Sequence, residues 1–324
     1  MRAIQITETG GPEVLRWAEL PDPSPGPGEL LVELAAAGVN YIDTYHRSGA
    51  YPMPLPLIPG SEGAGTVAAL GPDVSDVAVG DQVAWAGSPG SYAERAVVPA
   101  AQAVPVPQGV DIEIAGGCLL QGMTAHYLLV SVHAVQPGET VLIHAAAGGM
   151  GLLLTQLATA RGGRVIGTVS TAEKERLARE AGAAEVIRYT EVDDLAGEVR
   201  RLTGRDGVAA VYDGVGATTF DASLASLRRR GMLALFGAAS GPVPPVDPQR
   251  LNSAGSVFLT RPKLADYVAT RKELISRAGE VFDAILDGSL RIRIGGRYPL
   301  AEAGRAHQDL QSRRTTGKLL LLPR

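Results

Sequence analysis

Apolar and polar positions alternate in short runs over the first third of the chain. Met1 to Ile6, Leu30 to Ala35, Gly65 to Leu70, Asp81 to Trp85 and Tyr92 to Val98 are predicted strands. The segments between them are rich in proline and glycine: Pro21 to Gly28, Pro52 to Pro59, and Gly87-Ser88-Pro89-Gly90. Proline removes ladder donors and glycine supplies positive φ, so these read as loops. Short strands joined this way predict an irregular β-barrel-like domain. Near Asp111 the pattern changes. Ile112 to Gly117 and Thr124 to Val132 read as helices. Buried strands are then predicted at Val141 to His144, Arg164 to Thr168, Glu185 to Ile187, Val208 to Tyr212, Met232 to Phe236 and Ser256 to Leu259. Helical patterns fill the gaps at Gly151 to Ala160, Ala172 to Ala181, Asp194 to Leu202 and Phe220 to Leu227. Strand and helix alternating about every 20 to 25 residues predict a parallel sheet covered on both faces, with enough strands for a whole dinucleotide fold. After Leu264 come a helix at Lys272 to Leu286 and strands at Gly296 to Pro299 and Lys318 to Leu322, a tail expected to return to the first domain.

Composition narrows the class. The chain has 324 residues, 45% of them hydrophobic, which rules out disorder. A formal net charge of −4 leaves no basic footprint for nucleic acid. Cys118 is the single cysteine, so an intrachain disulfide and a multi-thiolate metal site are both excluded. The first residues are too polar for a signal peptide, and no run reaches the ~18 apolar residues of a membrane span. A cytoplasmic protein that does not enter the membrane is the expectation. Lysine is scarce beside arginine, which reads as a genomic bias.

One motif carries chemistry. The strand Val141 to His144 runs into Ala145-Ala146-Ala147-Gly148-Gly149-Met150-Gly151, and an apolar helix follows at once. Glycine lets the backbone approach a pyrophosphate, and the helix start offers free N–H groups and positive potential. The fingerprint is incomplete, because Leu154 stands where a third glycine would be. NAD sites place an acid about 20 residues on, at the end of the second strand. Here that strand ends in Thr168-Val169-Ser170-Thr171, with Lys174 and Arg176 following and Tyr189 after the third strand. Hydroxyls with a cation suit a 2′-phosphate, so NADPH is the expected cofactor; a solvated helix face is the alternative for Lys174 and Arg176.

The segment Pro59-Gly60-Ser61-Glu62-Gly63-Ala64-Gly65-Thr66-Val67, ahead of a dinucleotide fold, resembles the medium-chain dehydrogenase/reductase signature. The turn at Ala146 to Gly151 resembles that of the zeta-crystallin-type quinone oxidoreductases. So do Asn40 to Tyr45, Arg47 to Tyr51, Tyr212 to Gly216, Phe236-Gly237, Thr260-Arg261-Pro262 and Ser312-Arg313. This resemblance implies an α/β chain in which a Rossmann doubly wound parallel sheet (residues 123–263) is inserted in a GroES-like β-barrel domain (1–122 and 264–324). It also implies a cofactor cleft between the domains and a homodimer joined through the Rossmann sheets. Zinc-dependent relatives place a Cys at Asn40 and a His at Ser61. Amide and hydroxyl are poor zinc ligands, so no metal and no zinc alcohol dehydrogenase chemistry is expected. His46, His126, His133, His144 and His307 show no ligand spacing and read as structural.

The resemblance implies NADPH:quinone oxidoreductase activity, by hydride or one-electron delivery. A quinone accepts hydride readily, so orientation and water exclusion can suffice. The expected catalytic residues are Asn40, Tyr45 and Tyr51, with wall packing as the alternative for the tyrosines. Asp43 and Glu62 also admit a structural role, tying loops. Cofactor contacts carried over are Tyr41, Ile42, Asp43, Thr44, Tyr45, Thr124, Gly148, Gly149, Met150, Gly151, Ser170, Thr171, Lys174, Tyr189, Phe236, Gly237, Ala238, Ala239, Arg261 and Arg313. Two positions depart from some relatives: Gln121 where they have Lys, and Gly214 where they have Ser. The rival readings are an NADPH-dependent reductase of enones or enals and a non-catalytic NADPH-binding structural protein.

Overall fold

The computed structural model describes residues 1–323. They form two compact units. Unit one holds Met1–Met123, Tyr267–Gly288 and the described residues from Ile292 onward; unit two holds Thr124–Asp266 and Ser289–Arg291.

Unit one opens with β1 (Arg2–Gln5), paired antiparallel to β2 (Arg16–Glu19). Its longest strand is β3 (Glu29–Val39), which continues past the expected end at Ala35. Ala36, Ala37 and Val39 are all buried there, so the strand loses its alternation but not its pairing. A polar helix not expected from the pattern, α1 (Tyr41–Ser48), follows at once. Its buried side chains are Asp43, Thr44 and Arg47, so no apolar stripe announces it. Then come β4 (Glu62–Leu70), β5 (Gln82–Ala86), β6 (Arg95–Pro99), β7 (Val104–Pro105) and α2 (Ile112–Tyr127). Two helices were expected in this last stretch, and one continuous helix is found, ending in a π-helical turn at Leu128–Val132. The glycines that suggested a break allow close packing instead. A Cβ at Gly116 would lie 2.7 Å from the Ala36 carbonyl oxygen, and one at Gly122 2.8 Å from Val281.

Unit two alternates β8 (Thr140–Ile143), α3 (Gly149–Ala160), β9 (Arg164–Val169), α4 (Ala172–Glu180), β10 (Glu185–Arg188), α5 (Leu195–Leu202), β11 (Val208–Asp213), α6 (Phe220–Ser226), β12 (Leu227–Leu235), α7 (Gln249–Ser253) and β13 (Phe258–Thr260). Every strand pair is parallel, in the order β10-β9-β8-β11-β12-β13. That is the doubly wound order of a dinucleotide-binding sheet, with its switch point between β8 and β11. Leu142, Ile166, Val211 and Leu233 fill the core.

The tail adds α8 (Arg271–Leu286), β14 (Ile294–Pro299), α9 (Ala303–Gln311) and β15 (Lys318–Leu322) to unit one. Its main sheet runs β14-β15-β3-β4-β5-β7, with β6 also on β3. β15 lies antiparallel to β3, with Leu319 opposite Val39 and Leu320 opposite Gly38. The return of the tail to the first domain is therefore a strand insertion beside β3. Trp85, Tyr92, Leu30 and Leu321 anchor the core beneath.

Candidate active site

The end of β3, the start of β4 and the start of β15 bring three polar residues together inside unit one. Asn40, Glu62 and Lys318 are each no more than 2% exposed. Lys318 Nζ donates to Asn40 Oδ1 at 2.7 Å and makes an ion pair with Glu62 Oε1. Asn40 Nδ2 donates to Glu62 Oε1 at 2.8 Å and to the Gly38 carbonyl at 3.3 Å. Gln121 Nε2 donates to Asn40 Oδ1 at 3.2 Å, and the Leu120 N–H donates to Glu62 Oε2 at 2.9 Å. Both donors and both lone pairs of the Asn40 amide, the group expected to meet cofactor or acceptor, are engaged within the chain.

A second chain of hydrogen bonds starts at the same helix. Arg47 is a donor only, so its Nη1 must donate to His307 Nδ1, at 3.1 Å. His307 then carries its proton on Nε2, 3.0 Å from the Tyr92 hydroxyl. Tyr92 donates to Asp43 Oδ2 at 3.1 Å, Ser61 donates to Asp43 Oδ1 at 2.6 Å, and the Asn40 N–H donates to Asp43 Oδ2 at 2.9 Å. Every proton points toward Asp43. Burial nevertheless pushes the Asp43 carboxyl up to about 6, against the pull of Ser61, the Asn40 N–H, Lys318 and Tyr92. Burial, with the Arg47 guanidinium beside it, holds His307 down at about 3. Asp43 was expected to touch the cofactor, but its carboxylate is committed to these partners. Thr44 is likewise buried, and its hydroxyl donates to the Tyr41 carbonyl at 2.7 Å.

The aromatic residues of this region do assemble. The Tyr45 and Tyr51 rings lie 5.1 Å apart at 58°, and Tyr41 and Tyr45 lie 6.4 Å apart. Tyr51 is 42% exposed and Tyr45 is half-buried, so part of this cluster is open to a planar ligand. The Tyr41 hydroxyl donates to the Leu310 carbonyl at 3.1 Å, and Arg313 follows α9 at a positive φ of 59°.

In unit two the glycine turn joins β8 to α3. No side chain caps the α3 N-terminus. A Cβ at Gly151 would lie 2.2 Å from the Ala145 carbonyl oxygen, so helix and turn pack backbone to backbone. β9 and β10 end side by side, and the Tyr189 N–H donates to the Val169 carbonyl at 3.0 Å. Ser170, Thr171 and Lys174 follow β9 and Tyr189 follows β10, so the paired strand ends bring them to one edge, and the β9 end from Thr168 to Thr171 carries no acid. Thr171 caps α4, accepting from the Lys174 N–H at 3.3 Å. Arg176 pairs with Glu180 on the exposed face of α4, which gives it the solvated reading. Such a donor set, with an uncapped helix start, fits a phosphorylated dinucleotide.

The Gly237 and Gly214 backbones touch: a Cβ at Gly237 would lie 2.3 Å from the Gly214 carbonyl oxygen. A Cβ at Gly214 would meet the Phe236 ring at 2.8 Å, so serine there needs that ring to move. Arg261 Nη1 donates to the Leu235 carbonyl at 3.2 Å, behind the Phe236 to Ala239 segment. Asp213 secures the Gly214 to Gly216 turn through the N–H groups of Val215 and Gly216 and the hydroxyls of Thr219 and Ser223. Ser223 gives its proton to Asp213, so His144 must donate to Ser223 from Nε2 and accept from Thr168 at Nδ1. Burial lowers its pKa, consistent with that neutral tautomer and the structural role expected of His144. Thr124 stands in the last turn of α2, not at a helix start as expected.

Sequence reasoning missed Lys318, Tyr92 and Arg47. Only Lys318 left a signal: it is a lone lysine heading the otherwise apolar run Leu319 to Leu322. The donor set around it does not fit zinc. Among the described residues no three of His, Cys, Asp and Glu cluster as ligands, and an ammonium already sits on Glu62.

Comparison with known proteins agrees with this layout. An alcohol dehydrogenase GroES-like domain matches residues 26–108, and a zinc-binding dehydrogenase domain matches residues 149–278. A quinone oxidoreductase of Pseudomonas aeruginosa is 47% identical, with 99% of each chain covered. A 2-haloacrylate reductase of a Burkholderia species is 42% identical over 99% of this chain and 98% of that one. A mycobacterial structure complexed with NADPH is 59% identical, with a TM-score of 0.97 and all of both chains covered. With both domains matched and such identity over the full length, the chain belongs to the quinone oxidoreductases of the zinc-independent medium-chain dehydrogenase/reductase superfamily.

Proposed function

We propose that this chain is an NADPH-dependent quinone oxidoreductase working without a metal. The observation that carries this reading is the full-length identity of 47% to a quinone oxidoreductase, joined to paired strand ends that carry hydroxyls and a lysine where an NAD enzyme needs an acid. The Gly148 to Gly151 turn and the α3 N-terminus hold the pyrophosphate. Ser170, Thr171, Lys174 and Tyr189 hold the 2′-phosphate. Phe236 to Ala239, Arg261, Thr124 and Arg313 complete the cofactor contacts, with Tyr41, Ile42 and Tyr45 from the α1 side. When bound, NADPH supplies the hydride that reduces the quinone. Tyr45 and Tyr51 orient the planar acceptor by stacking, and either hydroxyl can hand on a proton to the reduced oxygen. Asp43 holds the first turn of α1 by accepting from the Asn40 N–H, and the Asn40 amide ties the end of β3 to Glu62 and Lys318.

A second reading, reduction of a C=C bond activated by a carbonyl or carboxylate, is favoured by the 42% identity to a 2-haloacrylate reductase. NADPH absorbance loss with 1,4-benzoquinone, an ortho-quinone, an enone and 2-chloroacrylate separates the two. Turnover of the quinones is expected; turnover of the alkenes alone overturns the quinone assignment. Lys174→Glu is expected to raise the NADPH KM at least tenfold and leave the NADH KM within twofold. An equal effect on both removes Lys174 from the phosphate site.

A homodimer through unit two is part of this proposal. β13 is an edge strand, and Phe258 on it is 58% exposed, an unpaired apolar edge suited to a second copy. No helix of the described residues is long and apolar enough to cross a membrane. The single cysteine, buried at Cys118, suits the cytoplasm as the working compartment.

A further inference from the structure

Lys318 lies inside unit one, and the chain makes room for it. By the β15–β3 register it faces Asn40, the residue that starts α1. Two glycines frame the pair. A Cβ at Gly117 would lie 2.6 Å from Leu320 Cδ2 and 3.1 Å from Lys318 Cγ, and a Cβ at Gly38 would lie 2.3 Å from Glu62 Oε1. Neither glycine has a positive φ, so space is the reason for them. The ammonium neutralises a carboxylate that would otherwise stand alone in the interior.

That ion pair also dictates orientation. An ammonium only donates, so the Asn40 amide must turn Oδ1 toward Lys318. A carboxylate only accepts, so the same amide must turn Nδ2 toward Glu62. With Oδ1 fixed, Gln121 can approach it only through Nε2. Its carbonyl Oε1 then takes no part in the cluster and accepts from no group among the described residues, on a side chain that is half-buried. We propose that Lys318 is a positioning residue for the reaction: through Asn40 it turns the Gln121 amide so that Oε1 is offered to an N–H or O–H donor of the bound ligands. The donor is either the carboxamide of the nicotinamide or the hydroxyl of the reduced quinone. This rests on the quinone reductase reading for its kinetic test.

Three variants test it: Lys318→Met, the charge-balanced double K318M/E62Q, and Gln121→Met. The double removes both buried charges together, so it answers even where K318M alone fails to fold. For each, kcat and KM with 1,4-benzoquinone, the NADPH Kd by fluorescence quenching, and the thermal midpoint are measured. K318M/E62Q and Q121M are each expected to lose about ten- to a hundredfold in kcat/KM, the scale of a misplaced positioning contact. Combining them adds no further loss, because they act on one carbonyl. A weakened NADPH Kd assigns the donor to the carboxamide; a loss confined to the quinone parameters assigns it to the reduced quinone. A folded double with wild-type kinetics, or losses that multiply, overturns the proposal. If the wild-type enzyme does not reduce quinones, the underlying function is at fault; an NADPH Kd unchanged across the variants then overturns the role of Lys318.

Discussion

At the scale of residues, unit one carries two buried titratable groups whose pH effects oppose each other. Asp43 keeps a proton up to about 6 in the folded chain, against 3.8 when free. Between about pH 4 and 6 the folded form therefore holds a proton the unfolded form has lost, and stability falls as pH rises. His307 stays neutral down to about 3, against 6.5 when free. Across the same window the unfolded form holds the extra proton, and stability rises with pH. The two slopes cancel, so these residues leave the wild type insensitive from about pH 4 to 6. Single substitutions unmask each slope. His307→Gln is expected to lose stability as pH rises through this window, and Asp43→Asn to gain it, each by up to ~1.4 kcal/mol per pH unit. Urea denaturation at several pH values reads this directly; parallel curves for wild type and both variants would dismiss the coupling.

At the scale of elements, glycines decide how closely backbones pass. Gly151 seats α3 against the turn that precedes it, with no room for a methyl group beside the Ala145 carbonyl. Gly151→Ala is expected to cost about 1–3 kcal/mol, the range for overpacking, and to weaken NADPH binding at least tenfold. Urea melts and fluorescence titration check the two together, and a variant that binds NADPH normally would show that the turn tolerates a shift. The same geometry explains the merging of two expected helices into α2. Gly116, Gly117 and Gly122 mark contact with Ala36, Lys318 and Val281 rather than a break. From sequence, a glycine's role is ambiguous, because the partner surface comes from distant chain. α1 and α9 escaped notice for a related reason. Their buried faces are Asp43, Thr44 and Arg47, and Ala303, Ala306 and His307, which show no apolar stripe of readable length.

At the scale of the whole molecule, the exposed edge of unit two predicts association. Phe258→Asp places a charge on β13 where an apolar ring is 58% exposed. Sedimentation or light scattering should show a dimer for the wild type and a monomer for this variant. A wild-type monomer, or a variant that remains a dimer, moves the interface elsewhere.

Much of this protein is legible along the chain because its signals are local. Six strands at regular spacing, a glycine turn between strand and helix, and a missing acid at the second strand end all depend on neighbours in sequence; only the exposure of β13, expected to be buried, does not. They lead to the doubly wound sheet and to the phosphorylated dinucleotide. The polar interior of unit one is different. Lys318 meets Asn40 across 278 positions, and Arg47 meets His307 across 260. Neither pairing leaves a periodic trace. A buried ion pair is stable only where a fold excludes water and supplies every partner, so tertiary structure alone made Asn40 the hub of a cluster.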